Sequence, residues 1–105
     1  MAVLELTTAN FDKEVLQAKE TVLIDFWAAW CVPCQMLSPT VDEIAEEGRP
    51  GLKVCKVNID EQPALADRFG VMSIPTLVVL KNGEAVASSV GVRPKSAILQ
   101  LLENA

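Results

Sequence analysis

The 105-residue chain contains no histidine. That absence removes Ser-His-Asp and Cys-His nucleophile pairs, HExxH zinc sites and every imidazole proton transfer. Positive charge is also scarce, with nine Lys and Arg against fourteen Asp and Glu, a formal charge of −5. Nucleic-acid binding relies on a positive surface to neutralise phosphates, so no such partner is expected. No apolar run approaches the roughly 20 residues that cross a bilayer, so no membrane partner is expected either. The segment Met1–Leu6 lacks the basic and then apolar pattern of a secretory signal. Three cysteines, an odd number, do not suggest an extracellular disulfide framework. A reducing, soluble compartment, the cytoplasm, is the expectation; a mature chain that had lost a signal would read the same way. No repeat, low-complexity tract or linker divides the chain, so residues 1–105 are expected to form one domain. Half of the residues are apolar. Folding can then remove roughly 65% of the unfolded surface from water without disulfide staples.

What is present alternates between two periods. Val3–Leu6 is a strand candidate, and Thr8 is placed to cap a helix in which Phe11, Val15 and Leu16 share a face. Val22–Trp27 (VLIDFW) is almost continuously apolar, as a strand covered on both sides requires. From Cys34 to about Glu47 the apolar positions Leu37, Val41, Ile44 and Ala45 follow helical spacing, with Gly48 as the stop. Pro39 is expected to interrupt that helix's bonding and bend it. Lys53–Ile59 is another strand, and Pro63 opens a short helix ending at Phe69-Gly70. Thr76–Leu80 and Ala85–Val90 flank Asn82-Gly83, the strongest two-residue hairpin signal. Pro94 begins a last helix with Ile98, Leu101 and Leu102 as its stripe. The order βαβαβαββα predicts an α/β fold, a central mixed sheet with helices on both faces. Its helix-separated strands are expected to pair in parallel.

Chemistry concentrates in Trp30-Cys31-Val32-Pro33-Cys34, between the buried strand and the long helix. Cysteines at i and i+3 are helical neighbours within disulfide geometry. Cys31 falls where unpaired N–H groups and the positive end of the helix dipole favour a thiolate. It is therefore expected to be ionised and reachable, attacking a substrate disulfide before Cys34 resolves the mixed disulfide. Pro33 fits the first turn because its missing N–H has no helical partner there. The competing readings are an incidental pair or half of a metal site; with Cys55 the only further sulfur and no histidine, no metal is expected. Cys55 reads as a small buried hydrophobe. Asp25, inside VLIDFW, is expected to be buried with a raised pKa. It is either a proton carrier for Cys34 or a structural carboxylate paired with Lys56. Pro75 opens the strand TLVVL, where a missing N–H is tolerated. Asp42, Glu43, Glu46 and Glu47 most simply make a solvated helix face.

At these residues the chain resembles the thioredoxin family. DFWAAWCVPC, the proline-containing helix after it, KVNID, SIPT, KNG and Val90-Gly91 occur in the family's order over nearly the whole chain. The resemblance implies the thioredoxin fold and a general protein-disulfide reductase, recharged by thioredoxin reductase and acting on disulfide-containing proteins. It implies no cofactor, since the cysteine pair is itself the redox group, and the default state is a monomer. It places Asp25 and Lys56 beneath the reactive pair. It also implies a cis Pro75 against the cysteines, with neighbouring backbone pairing to an extended substrate segment. Trp30, Ile59, Ile74, Val90, Gly91 and Val92 match the apolar rim around the reactive sulfur. Two positions depart: Val32 stands where the family typically has glycine, adding stiffness and bulk beside Cys31, and Ser73 stands where glycine is common. The Val32 substitution keeps a second redox reading in play, an oxidase or isomerase of the same fold. A third is a binding module that uses the surface without turnover.

Overall fold

The structure, a computed structural model, describes residues 3–105. Its elements are strand β1 (Leu4–Glu5), a π-helical turn (Asp12–Leu16), β2 (Thr21–Trp27), helix α1 (Val32–Glu46) and β3 (Leu52–Asn58). Then follow α2 (Pro63–Arg68), β4 (Thr76–Lys81), β5 (Glu84–Val90) and α3 (Lys95–Asn104). The five strands lie in the order β1-β3-β2-β4-β5.

The alternation along β2 decides the layers. Val22, Ile24 and Phe26 enter a core with Phe11, Val15 and Leu65, beneath the π-turn and α2. Leu23, on the opposite face, joins Leu37, Val41, Ile44 and Ile98 from α1 and α3. Both faces are covered, which is why VLIDFW carries almost no polar residue. Asp25 shares the α1 face with Leu23 and Trp27, since successive strand side chains point to opposite faces.

Three expectations change in the structure. The first helix is a single π-turn, closed by the Gln17 N–H donating to the Asp12 carbonyl at 3.0 Å, five residues back. Thr8 does not cap it. The reciprocal bonds run instead between Thr7 and Asn10, while the Thr8 N–H donates to Gln62 Oε1 at 3.1 Å. Pairing is parallel for β1-β3 and β2-β3, but β4 runs antiparallel to β2 although α2 precedes it. Six helical residues span only about 9 Å. That is too short to return the chain along a seven-residue strand of about 23 Å, so β4 enters from the end where β3 stopped. Helix α1 spans Pro39, whose nitrogen carries no hydrogen to donate to the Gln35 carbonyl, so one bond of its ladder is interrupted as expected. At the end of the sheet, Asn82 (φ 53°) and Gly83 (φ 78°) make the expected two-residue turn.

Candidate active site

Where β2 ends, the chain turns through Ala28–Trp30 into α1, and Cys31 becomes the residue that caps the helix. Its backbone is extended (φ −91°, ψ 108°), which brings its sulfur back over the helix end to accept the Cys34 N–H at 3.2 Å. A serine or aspartate oxygen usually fills this role. With sulfur in that place, negative charge on Cys31 is favoured by the N–H and by the helix's positive end. Pro33 lies in the first turn as expected. Cys31 and Cys34 are joined as a disulfide with Cα atoms 5.2 Å apart.

The pair is less open than the sequence led us to expect. Cys31 is 4% exposed and Cys34 3%, because Ala28, Trp27, Ile59 and Ile74 pack around them. Direction separates the two sulfurs better than exposure does. Cys31 Sγ lies 3.8 Å from the Ile74 carbonyl oxygen, toward the outer rim. Cys34 lines an inner cavity of about 260 Å³ with Glu5, Asp25, Trp27, Ser38 and Lys56.

On the rim, the Ile74–Pro75 peptide is cis. The Pro75 carbonyl accepts the Gly91 N–H at 2.9 Å. Trp30, Ile59, Ser73 and Ile74 line a groove of about 320 Å³ together with Val71 and Met72. Val90 and Val92 are exposed but do not line it, and neither do Gly91 and Pro75. The Trp30 indole is 67% exposed and is held by its N–H donating to Asp60 Oδ2 at 2.8 Å. Val32 projects outward, 61% exposed.

Asp25 is 1% exposed, and its Oδ1 has no hydrogen-bond partner among the described residues. Burial pushes its carboxyl up to about 6; Lys56 opposes this, while Asp42 and Glu5 add to it. The alternative of an Asp25–Lys56 ion pair is not realised. The two are register partners on β2 and β3, yet the Lys56 ammonium pairs with Asp42 at 2.9 Å and donates to Ser38 Oγ at 2.6 Å. Its long stem lets the charge reach past Asp25 toward the better-hydrated edge of α1. Cys55 is buried in the opposite core, and burial pushes its thiol up to about 12. Among the described residues no group of three or more Cys, Asp or Glu side chains is gathered to hold a metal ion.

The thioredoxin family model matches residues 2–104. The chain belongs to the thioredoxin family. It is 48% identical over 102 residues to a thioredoxin of Pyropia yezoensis, covering 97% of this chain and 95% of that one. To thioredoxin 1 of a Nostoc species it is 47% identical over 102 residues, with the same coverage. To the thioredoxin of Rickettsia felis it is 46% identical over 94 residues, covering 90% of each. Family and cysteine pair together make the chain a thiol-disulfide oxidoreductase. Disulfide-bearing proteins and a thioredoxin reductase are the general kinds of partner that the thioredoxin family implies. No helix among the described residues is long and apolar enough to cross a membrane.

Sequence reasoning passed over Ser38, and Asp60 and Met72 at the rim, and read Asp42 only as part of a solvated face; Ser38 and Asp42 both contact Lys56. For Ser38 and Asp42 a signal existed: Cys34, Ser38 and Asp42 recur every four residues and so share one face of α1. Asp60 and Met72 come to the rim from loops, and no periodicity marks them.

Proposed function

We propose that this thioredoxin-family chain acts as one unit over residues 1–105, a general protein-disulfide reductase recharged by thioredoxin reductase. The Cys31 thiolate attacks one sulfur of a substrate disulfide, forming a mixed disulfide and releasing the other as a thiolate. The Cys34 thiol passes its proton toward Asp25 through water in the inner cavity and attacks Cys31 Sγ. The Cys31–Cys34 disulfide forms and the second substrate sulfur leaves, so the substrate gains the two electrons that the cysteine pair loses. Substrate backbone lies along Ser73, Ile74 and cis-Pro75, with Trp30, Val32, Ile59, Val90, Gly91 and Val92 as its apolar surround and Lys56 beneath.

The observation that carries this reading is the unlike setting of the two sulfurs. Cys31 caps the helix beside the rim, whereas Cys34 faces a buried carboxyl. A purely non-catalytic binding role gives no reason for that asymmetry. Insulin-disulfide reduction, with and without a reductase, is the test. Cys31→Ser is expected to lower the rate by at least about a thousandfold, to the uncatalysed level. Cys34→Ser is expected to accumulate a covalent adduct through Cys31, seen by mass spectrometry. An adduct on Cys34 in Cys31→Ser, with none in Cys34→Ser, would reverse the assignment.

A further inference from the structure

The inner cavity contains a polar arrangement that the proton path does not itself require. Lys56 extends from β3 toward α1, and its ammonium is held by Ser38 Oγ at 2.6 Å and Asp42 Oδ1 at 2.9 Å. Asp25, its register neighbour, makes no ion pair with it and keeps an unpartnered Oδ1 among the described residues. The Lys56 side chain is 12% exposed, so solvent screens its charge weakly. Its position therefore matters strongly to any carboxylate nearby.

We infer that Ser38 is a positioning residue: with Asp42 it holds the Lys56 ammonium against α1 and away from Asp25, leaving Asp25 free to exchange protons with Cys34. This rests on the proton role proposed for Asp25 above. A carboxylate joined directly to a buried-edge ammonium stays ionised and returns a proton poorly. A carboxyl left unpaired in an apolar setting passes between both forms near neutral pH.

The groups facing Asp25 are Lys56 from β3, Cys34 and Asp42 from α1 and Glu5 from β1. Apolar Leu77 stands opposite on β4. Lys56 is the one cation among them, so moving it is the strongest available lever. Asp42 alone is a weak anchor because its side chain is 52% exposed. The Ser38 hydroxyl is the inner one.

The test uses the oxidised full chain, following the Asp25 carboxyl carbon by NMR across pH. Alanine is favoured in helix interiors, so Ser38→Ala leaves α1 intact. Its freed ammonium swings toward Asp25 and moves the Asp25 midpoint down by about one pH unit. Ser38→Thr keeps the hydroxyl and is expected to titrate like the wild type. In Lys56→Met the midpoint rises, and adding Ser38→Ala changes nothing further. An unmoved or higher midpoint in Ser38→Ala overturns the inference, as does a downward shift that survives in the Lys56→Met background. Insulin reduction by Asp25→Asn across pH tests the underlying proton role separately. A rate equal to wild type above about pH 6 would remove that role, while the carboxyl titration still reports whether Ser38 positions Lys56.

Discussion

At Cys31 a sulfur occupies the place where helices ordinarily keep an oxygen, and the reactivity of the molecule follows from that exchange of atoms. The spacing Cys31-Val32-Pro33-Cys34 showed where a thiolate would be stabilised, because an N-terminal first turn has the same unpaired donors in any helix. It could not show how closely Ala28, Ile59 and Ile74 enclose the pair, since these arrive from separate segments. Val32 makes the sharpest residue-scale prediction. A branched side chain limits the backbone of the open dithiol more than that of the closed disulfide, which is already constrained. Val32→Gly gives the dithiol more freedom to lose on closure, disfavouring the disulfide by up to about 1 kcal/mol. The potential is expected to rise by up to about 20 mV, a severalfold change in equilibrium with a glutathione buffer. Equal constants for the two proteins would show that the dipeptide does not tune this pair.

Elements built on strict local periods were the most legible. The two faces of β2 and the apolar stripe of α1 could be read directly, because burial follows periods of 2 and 3.6 wherever the sheet is covered. The Asn82-Gly83 turn was equally clear, and it supports a quantitative expectation. Gly83 has φ 78°, and a Cβ built there meets the Leu16 side chain at an ordinary 3.5 Å. The cost of Gly83→Ala is therefore backbone conformation rather than collision, about 1–2 kcal/mol, read as a lower denaturant midpoint at unchanged slope. A midpoint equal to wild type would mean that the hairpin re-forms with another turn. The acidic face of α1 is solvated as expected, with Asp42, Glu43, Glu46 and Glu47 all exposed, but its partners were not legible. Glu43 and Glu47 both contact Lys95 of α3, and Glu47 also pairs with Arg49 at 2.9 Å, so the solvated stripe also carries surface ion pairs. Those cations lie outside the helix, and its own sequence carries no sign of them.

In the whole molecule, one carboxyl is buried in the layer between sheet and α1, and its charge costs the fold stability. Burial raises Asp25 from 3.8 to about 6, so the native state holds its proton more tightly than the unfolded chain does. That contribution is fully present below about pH 4 and is lost as pH rises through 6, amounting to about 3 kcal/mol above pH 7. Asp25→Asn, which cannot ionise, is expected to unfold at higher denaturant than wild type at pH 8, with the gap closing toward pH 4. A gap independent of pH would mean that Asp25 is not a source of this strain on stability. The sequence by itself determined the thioredoxin-type order of strands and helices, the cysteine pair at a helix start, the hairpin turn and the burial of Asp25. Each depends on neighbours within one element, where backbone geometry dictates which side chains meet. Tertiary structure alone decided the antiparallel entry of β4, the enclosure of the sulfurs and the choice of Lys56 for Ser38 and Asp42 over Asp25. Those depend on how far a short helix can carry the chain and on which charges reach water once distant segments pack together.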